Sequence, residues 1–173
     1  MDQFQHDLLR DLQKGFDTGG YATKQTEETA QAPANLRVVV GNLGKIEQDV
    51  LFELFFAAIP DQDDTNPYSI LNIVATLFTQ VPEENYGQLE TACMLCNRRV
   101  VLGALGTIRE SNILHCRDAI VIRHGYPPEV YLQLPVDSLM AMASSIEAVI
   151  DGLATVARGM KTAAEADSEG LLG

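Results

Sequence analysis

The chain has 173 residues, 46% of them hydrophobic and 21% charged, a composition that fits one soluble domain with a sizeable core. Its net charge is −12, and between Lys45 and Arg98 no Lys or Arg occurs while nine acids run from Glu47 to Glu90, a distribution that repels polyanions and argues against nucleic acid as a partner. No apolar run reaches the length of a membrane span and the first residues lack the plan of a signal peptide, so a cytoplasmic protein is expected, its three cysteines carried as thiols rather than as a disulfide framework.

At the N-terminus, Phe4, Leu8 and Leu12 lie on one helical stripe with Asp2 placed to cap it, so residues 1–14 are expected as an amphipathic helix. Residues 15–35 are rich in Gly, Thr, Gln and Ala and are expected as a flexible connection. A single α+β domain over 36–160 should follow. Its first part holds three strand candidates, 36–43, 49–59 and 68–81, with "GNLGK" and "PDQDDTNP" as the turns between them.

The pattern then changes period. Pro82 suits a first helical turn, Glu83 and Glu84 suit the positive end of a helix dipole, and Leu89, Cys93 and Cys96 recur at four and three, which predicts a helix over 82–98. Two apolar runs, 99–108 and 113–123, flank the polar "RESN" and predict a hairpin. Gly103 and Gly106 inside its first run point to a bulge or to close approach by another backbone. A long helix is expected from Asp137 to about Met160, and residues 161–173 as a disordered tail. The order is α-βββ-α-ββ-α, an antiparallel sheet covered by helices.

Chemistry is sparse. Cys93 and Cys96 form the one C-x-x-C, placed in the last turns of their helix. A redox centre needs its attacking thiol at a helix N-terminus, where the dipole favours thiolate; at the other end the sign is reversed. A zinc reading adds Cys116 and His115, but adjacent strand residues point to opposite faces, so at most three ligands converge. Burial in the core is the favoured reading of the three cysteines, with a thiol redox or zinc module as the alternative. "GNLGK" lacks the spacing of a phosphate loop, Asp61, Asp63 and Asp64 lack the glycine and distal glutamate of a calcium loop, and neither His6 nor His124 has a nucleophile at a recognisable spacing. No catalytic residue, metal or cofactor is assigned.

The segment "NRRVVLGALGTIRESNILHCRDAIVI", with "LPVDSLMAMASSIEAVIDGLATVARGM" after it, resembles the second half of the YbjN-type proteins, bacterial sensory-transduction regulators with a type III secretion chaperone-like fold. Asn97, Arg98, Leu102, Gly103, Leu134 and Pro135 carry the likeness. The resemblance implies a non-enzymatic homodimer, chaperone-like or regulatory, that binds a protein or peptide client, with no membrane and no nucleic acid involved. The dimer or client contact is expected at Arg98, Arg99, Leu102, Gly103, Leu105 and Gly106. A small-ligand pocket near Met140 and Met142 is a further alternative.

Overall fold

A computed structural model of the protein describes residues 1–30, 32–59 and 67–173. It is an α+β protein in which five helices accompany a six-stranded antiparallel sheet. In chain order the elements are α1 (Gln3–Thr18), β1 (Ala22–Thr26), β2 (Asn35–Leu43), β3 (Gln48–Phe56), β4 (Tyr68–Thr79), α2 (Tyr86–Cys96), β5 (Ala104–Ile108), β6 (Ile113–Arg123), α3 (Pro128–Glu147), α4 (Ile150–Ala157) and α5 (Ala163–Ser168). The strands lie side by side as β1-β2-β3-β4-β6-β5. The acidic loop expected around residues 60–66 lies outside the described residues.

The described residues form two compact units. The first comprises Met1–Val40, Leu51–Val74 and Asp118–Met140, the second Gly41–Val50, Ala75–Arg117 and Ala141–Gly173.

In the first unit α1 begins with a capping box: the Gln5 amide donates to Asp2 Oδ1 at 2.8 Å and the Asp2 amide donates to the Gln5 side chain at 3.2 Å, satisfying two of the orphan donors of a helix start. Leu8, Leu9, Leu12 and Phe16 are buried along one stripe. The helix continues to Thr18, four residues beyond the expected end. The connection expected to be flexible instead carries β1, whose Thr23 and Lys24 pair with Val38 and Arg37 of β2. What anchors β1 on its inner side is polar: Gln13 Nε2 donates to Thr23 Oγ1 at 3.3 Å, and Thr23 Oγ1 donates to Asp17.

In the second unit the β2–β3 turn is held by α4, because the backbone amides of Lys45 and Ile46 donate to the Asp151 carboxylate at 3.0 and 3.1 Å. Asn42, at φ 60°, interrupts the alternation of β2, so that Leu43 rather than Asn42 is buried. The expected strand of 99–108 is shorter, starting at Ala104, since Gly103 at φ +85° turns the chain there.

The expected helix of 137–160 is two helices. The first starts early, at Pro128, a residue suited to the first turn, and contains Pro135. It stops at Glu147, and Val149 at φ −124° separates it from α4. The segment expected as a disordered tail holds α5, opened by a second capping box between Thr162 and Glu165. Ala163, Ala166 and Leu172 are buried, and α5 packs on α2 and α4. Gly152 of α4 is where this packing is closest: a Cβ there would lie 2.1 Å from the Leu171 carbonyl oxygen. Among the described residues no single helix is long and apolar enough to cross a membrane.

Candidate functional site

The cysteines belong to the second unit and all three are buried, without a disulfide. Burial pushes the Cys93 thiol up to about 12, helped by the negative fields of Cys96, Glu90 and Cys116. Burial likewise raises Cys96 to about 11, against the opposing charge of Arg99. Thiols in this state are poor nucleophiles and reluctant metal ligands, because both roles require the thiolate. Desolvation is the largest cause of both shifts. Cys116 and His115 fall on opposite faces of β6, Cys116 buried and His115 partly open. Among the described residues no three His, Cys, Asp or Glu side chains are grouped to hold a metal ion.

The segment 98–106 separates into two kinds of residue. Leu105 is buried, and a Cβ on Gly103 would meet Cys116 Sγ at 2.7 Å, so both are packing positions. Gly106 lies against the His115 imidazole, and Leu102 is half-buried. Arg98 and Arg99 are exposed; Arg99 pairs with Asp167 at 2.9 Å. Beside them a groove of about 470 Å³ is lined by Val100 and Val101 on one side and by Ala141, Ser144, Ser145 and Ala148 of α3 on the other. Val101 is 90% exposed, the largest apolar exposure of the second unit. Met142 is buried and Met140 partly exposed, its sulfur accepting from Tyr21 Oη at 3.5 Å.

The fold brings Ser69 Oγ within 2.8 Å of His124 Nε2, a pair separated by 55 residues that no local spacing could have announced. The Gln5 side-chain amide donates to the same Ser69 oxygen at 3.1 Å, and His124 stacks on Phe4 with ring centroids 4.0 Å apart. Ser69 is fully buried. A serine nucleophile has to meet its substrate, so this pair ties the start of α1 to β4 and the end of β6 rather than forming a reactive dyad.

The first unit presents a different feature. Along its strands one set of side chains is buried: Leu36 and Val38 of β2, Phe52 and Leu54 of β3, Leu71 and Ile73 of β4, Ile122 of β6. These alternate with a second set that stays open. The β1–β2 register places Ala22 and Lys24 beside Val39 and Arg37 on this open side. Glu53 of β3 shares it, since Arg37 Nε donates to Glu53 at 2.9 Å. Helix α1 meets Thr23 and Ser69, which belong to the covered side. Leu51, Phe55, Ile70 and Val74 are therefore only half-buried, and Val121 is 55% exposed. Among the described strand residues on this side, only Asn72 is fully shielded.

A sheet face with so many apolar side chains ordinarily packs on a second layer. The apolar character of 49–59 on both faces except for Glu53, and the polar Asn72 and Thr76 beside Ile70, Val74 and Phe78 in 68–81, predict a sheet face that is only partly covered, and that is the side left open.

Neither the protein-family models nor the curated proteins contain a match to this chain.

Proposed function

We propose that this protein is a non-enzymatic protein-binding module, chaperone-like or regulatory, that acts as a homodimer and receives a polypeptide segment on the uncovered sheet face of its first unit. The observation that carries the reading is that face: Leu51, Phe55, Ile70, Val74 and Val121 form a half-open apolar surface across adjacent strands, where burial by a partner would be favourable by about 25 cal/mol per Å² of apolar surface. The resemblance to the YbjN-type regulators and their secretion-chaperone-like fold points to the same class. The expected contact around Arg98, Arg99 and Leu102 finds its natural continuation in Val101 and the adjoining groove, which offer a second copy a protruding valine and a recess of small residues. The alternative thiol or zinc module is disfavoured by the burial and the high pKa of Cys93 and Cys96.

Native mass spectrometry tests the assembly. The expected species is a dimer of twice 18.9 kDa, converted to monomer by Val101→Asp. Suppression of aggregation of a chemically denatured model protein tests the binding activity. Val74→Asp with Val121→Asp should abolish it while leaving the circular dichroism spectrum intact. Undiminished suppression by that double variant would overturn the assignment of the face.

A further inference from the structure

The charge of the uncovered face is opposite to that of the chain as a whole. The whole sequence holds 12 Lys and Arg against 24 Asp and Glu. Among the described residues on the open side of the first unit, Lys24, Arg37 and Arg123 stand against one acid, Glu53. Glu53 is already taken by Arg37, and among the described residues neither Lys24 nor Arg123 makes an ion pair. In a chain of net charge −12, three cations to one acid among the described residues of a single face is a local reversal of sign.

Resting on the protein-binding reading above, we propose that this face takes an acidic amphipathic helix of a partner protein. Its apolar stripe would lie over Leu51, Phe55, Ile70, Val74 and Val121, and its carboxylates would face Lys24, Arg37 and Arg123. A face offers side chains, whereas the backbone groups of its inner strands are used in the ladder, so an added strand has nothing to pair with there. A helix with an apolar stripe is the element that completes a sheet as a second layer. A second copy of the same face is a poor occupant, since two-fold packing sets the same patch on itself and brings like charges together. The charge pattern would act on partner choice and association rate more than on total affinity.

The test uses the intact protein and two synthetic helical peptides that share one leucine stripe, the first filled out with glutamate and its twin with lysine. Fluorescence anisotropy should show the acidic peptide binding about tenfold or more tightly than its twin, with the difference shrinking as salt is added. Lys24→Glu with Arg123→Glu, both at exposed positions, should reverse the preference. Equal binding of the two peptides would overturn the acidic class while leaving the protein-binding reading in place. If neither peptide binds and Val74→Asp with Val121→Asp also leaves aggregation suppression unchanged, both readings fall. A native mass spectrum in which the acidic peptide splits the dimer would assign the face to the second copy and overturn this proposal alone.

Discussion

The side chain of Asn97 pairs with both backbone groups of Leu105: its Nδ2 donates to the Leu105 carbonyl at 2.9 Å, and the Leu105 amide donates to its Oδ1 at 2.8 Å. Asn97 caps the C-terminus of α2 and β5 is the last strand of the sheet. One carboxamide thus imitates a neighbouring strand for one residue and closes that part of the edge to further pairing. Asn97 is also one of the positions that carries the YbjN-type resemblance, and its role here is architectural.

Asn97→Ala removes two hydrogen bonds and leaves both Leu105 groups part-buried without a protein partner. The expected loss is about 1–3 kcal/mol, read as a lower urea midpoint with an unchanged slope. Asn97→Asp keeps the acceptor and loses the donor, so its midpoint should fall between those of wild type and the alanine variant. An alanine variant as stable as wild type would show that water replaces the pairing without cost.

Gly103 combines φ +85° with a Cβ position 2.7 Å from Cys116 Sγ. Gly103→Ala should therefore cost about 1–3 kcal/mol, from the left-handed backbone and from overpacking together. Removing the sulfur with Cys116→Ala leaves only the backbone contribution. The double variant is expected to be more stable than the sum of the two single changes predicts, a coupling that a double-mutant cycle measures directly. Strict additivity would place the whole cost in the backbone.

The elevated thiols make stability depend on alkaline pH in a defined direction. Folded Cys93 and Cys96 hold their protons to about 12 and about 11, against an ordinary value of 9.0 in the unfolded chain. The folded state therefore binds more protons across this window, and its stability is undiminished below pH 9.0 and falls as pH rises toward 11 and 12. Each thiol contributes a slope of at most about 1.4 kcal/mol per pH unit. Cys93→Ala should flatten the alkaline decline relative to wild type in chemical denaturation. The same burial predicts that an aromatic disulfide reagent reacts with these thiols at the rate of unfolding in the native protein and at once in denaturant.

Deleting residues 163–173 removes buried Ala163, Ala166 and Leu172 and the partner of Arg99. Together the lost burial and the exposed surfaces of α2 and α4 are expected to lower stability by about 3–5 kcal/mol. Gly152→Ala, which drives a methyl group into the Leu171 backbone, should produce part of the same loss, together with faster amide exchange confined to the last residues. A truncated chain with the wild-type melting temperature would contradict the packing of α5.

Strong periodicity was legible in the sequence and weak periodicity was not. Strands β2, β3, β4 and β6 and helix α2 announce themselves through alternating or three-and-four-spaced apolar residues, because each buries one side on the core. Strand β1, "ATKQT", sits at the end of the sheet order and meets α1 through Thr23 with Gln13 and Asp17, so no apolar alternation marks it. Helix α5 has six residues and buries alanines, which score weakly in any hydrophobic pattern. Pro135 reads as a boundary in a sequence, yet it lies inside α3, beyond its first turn, where its missing N–H costs the helix one i→i−4 hydrogen bond. Of the site, the apolar residues and the partly covered side of β4 were readable, the latter through Asn72 and Thr76, but the contacts that cover the other side were not, since they join positions such as Gln5 and Ser69 across 64 positions.

The burial of Leu172 bears on the order of events during synthesis. The second unit draws on stretches as far apart as Gly41 and Leu172, and α2, which packs on β5, α4 and α5, gains the last of these neighbours only when residues 163–168 have been made. While the ribosome still holds those residues, Leu89, Cys93 and Cys96 belong to a surface with an absent neighbour. A nascent chain thus has an interval in which the apolar side of α2 is one neighbour short and more open to aggregation, and the emergence of α5 is the step that ends it.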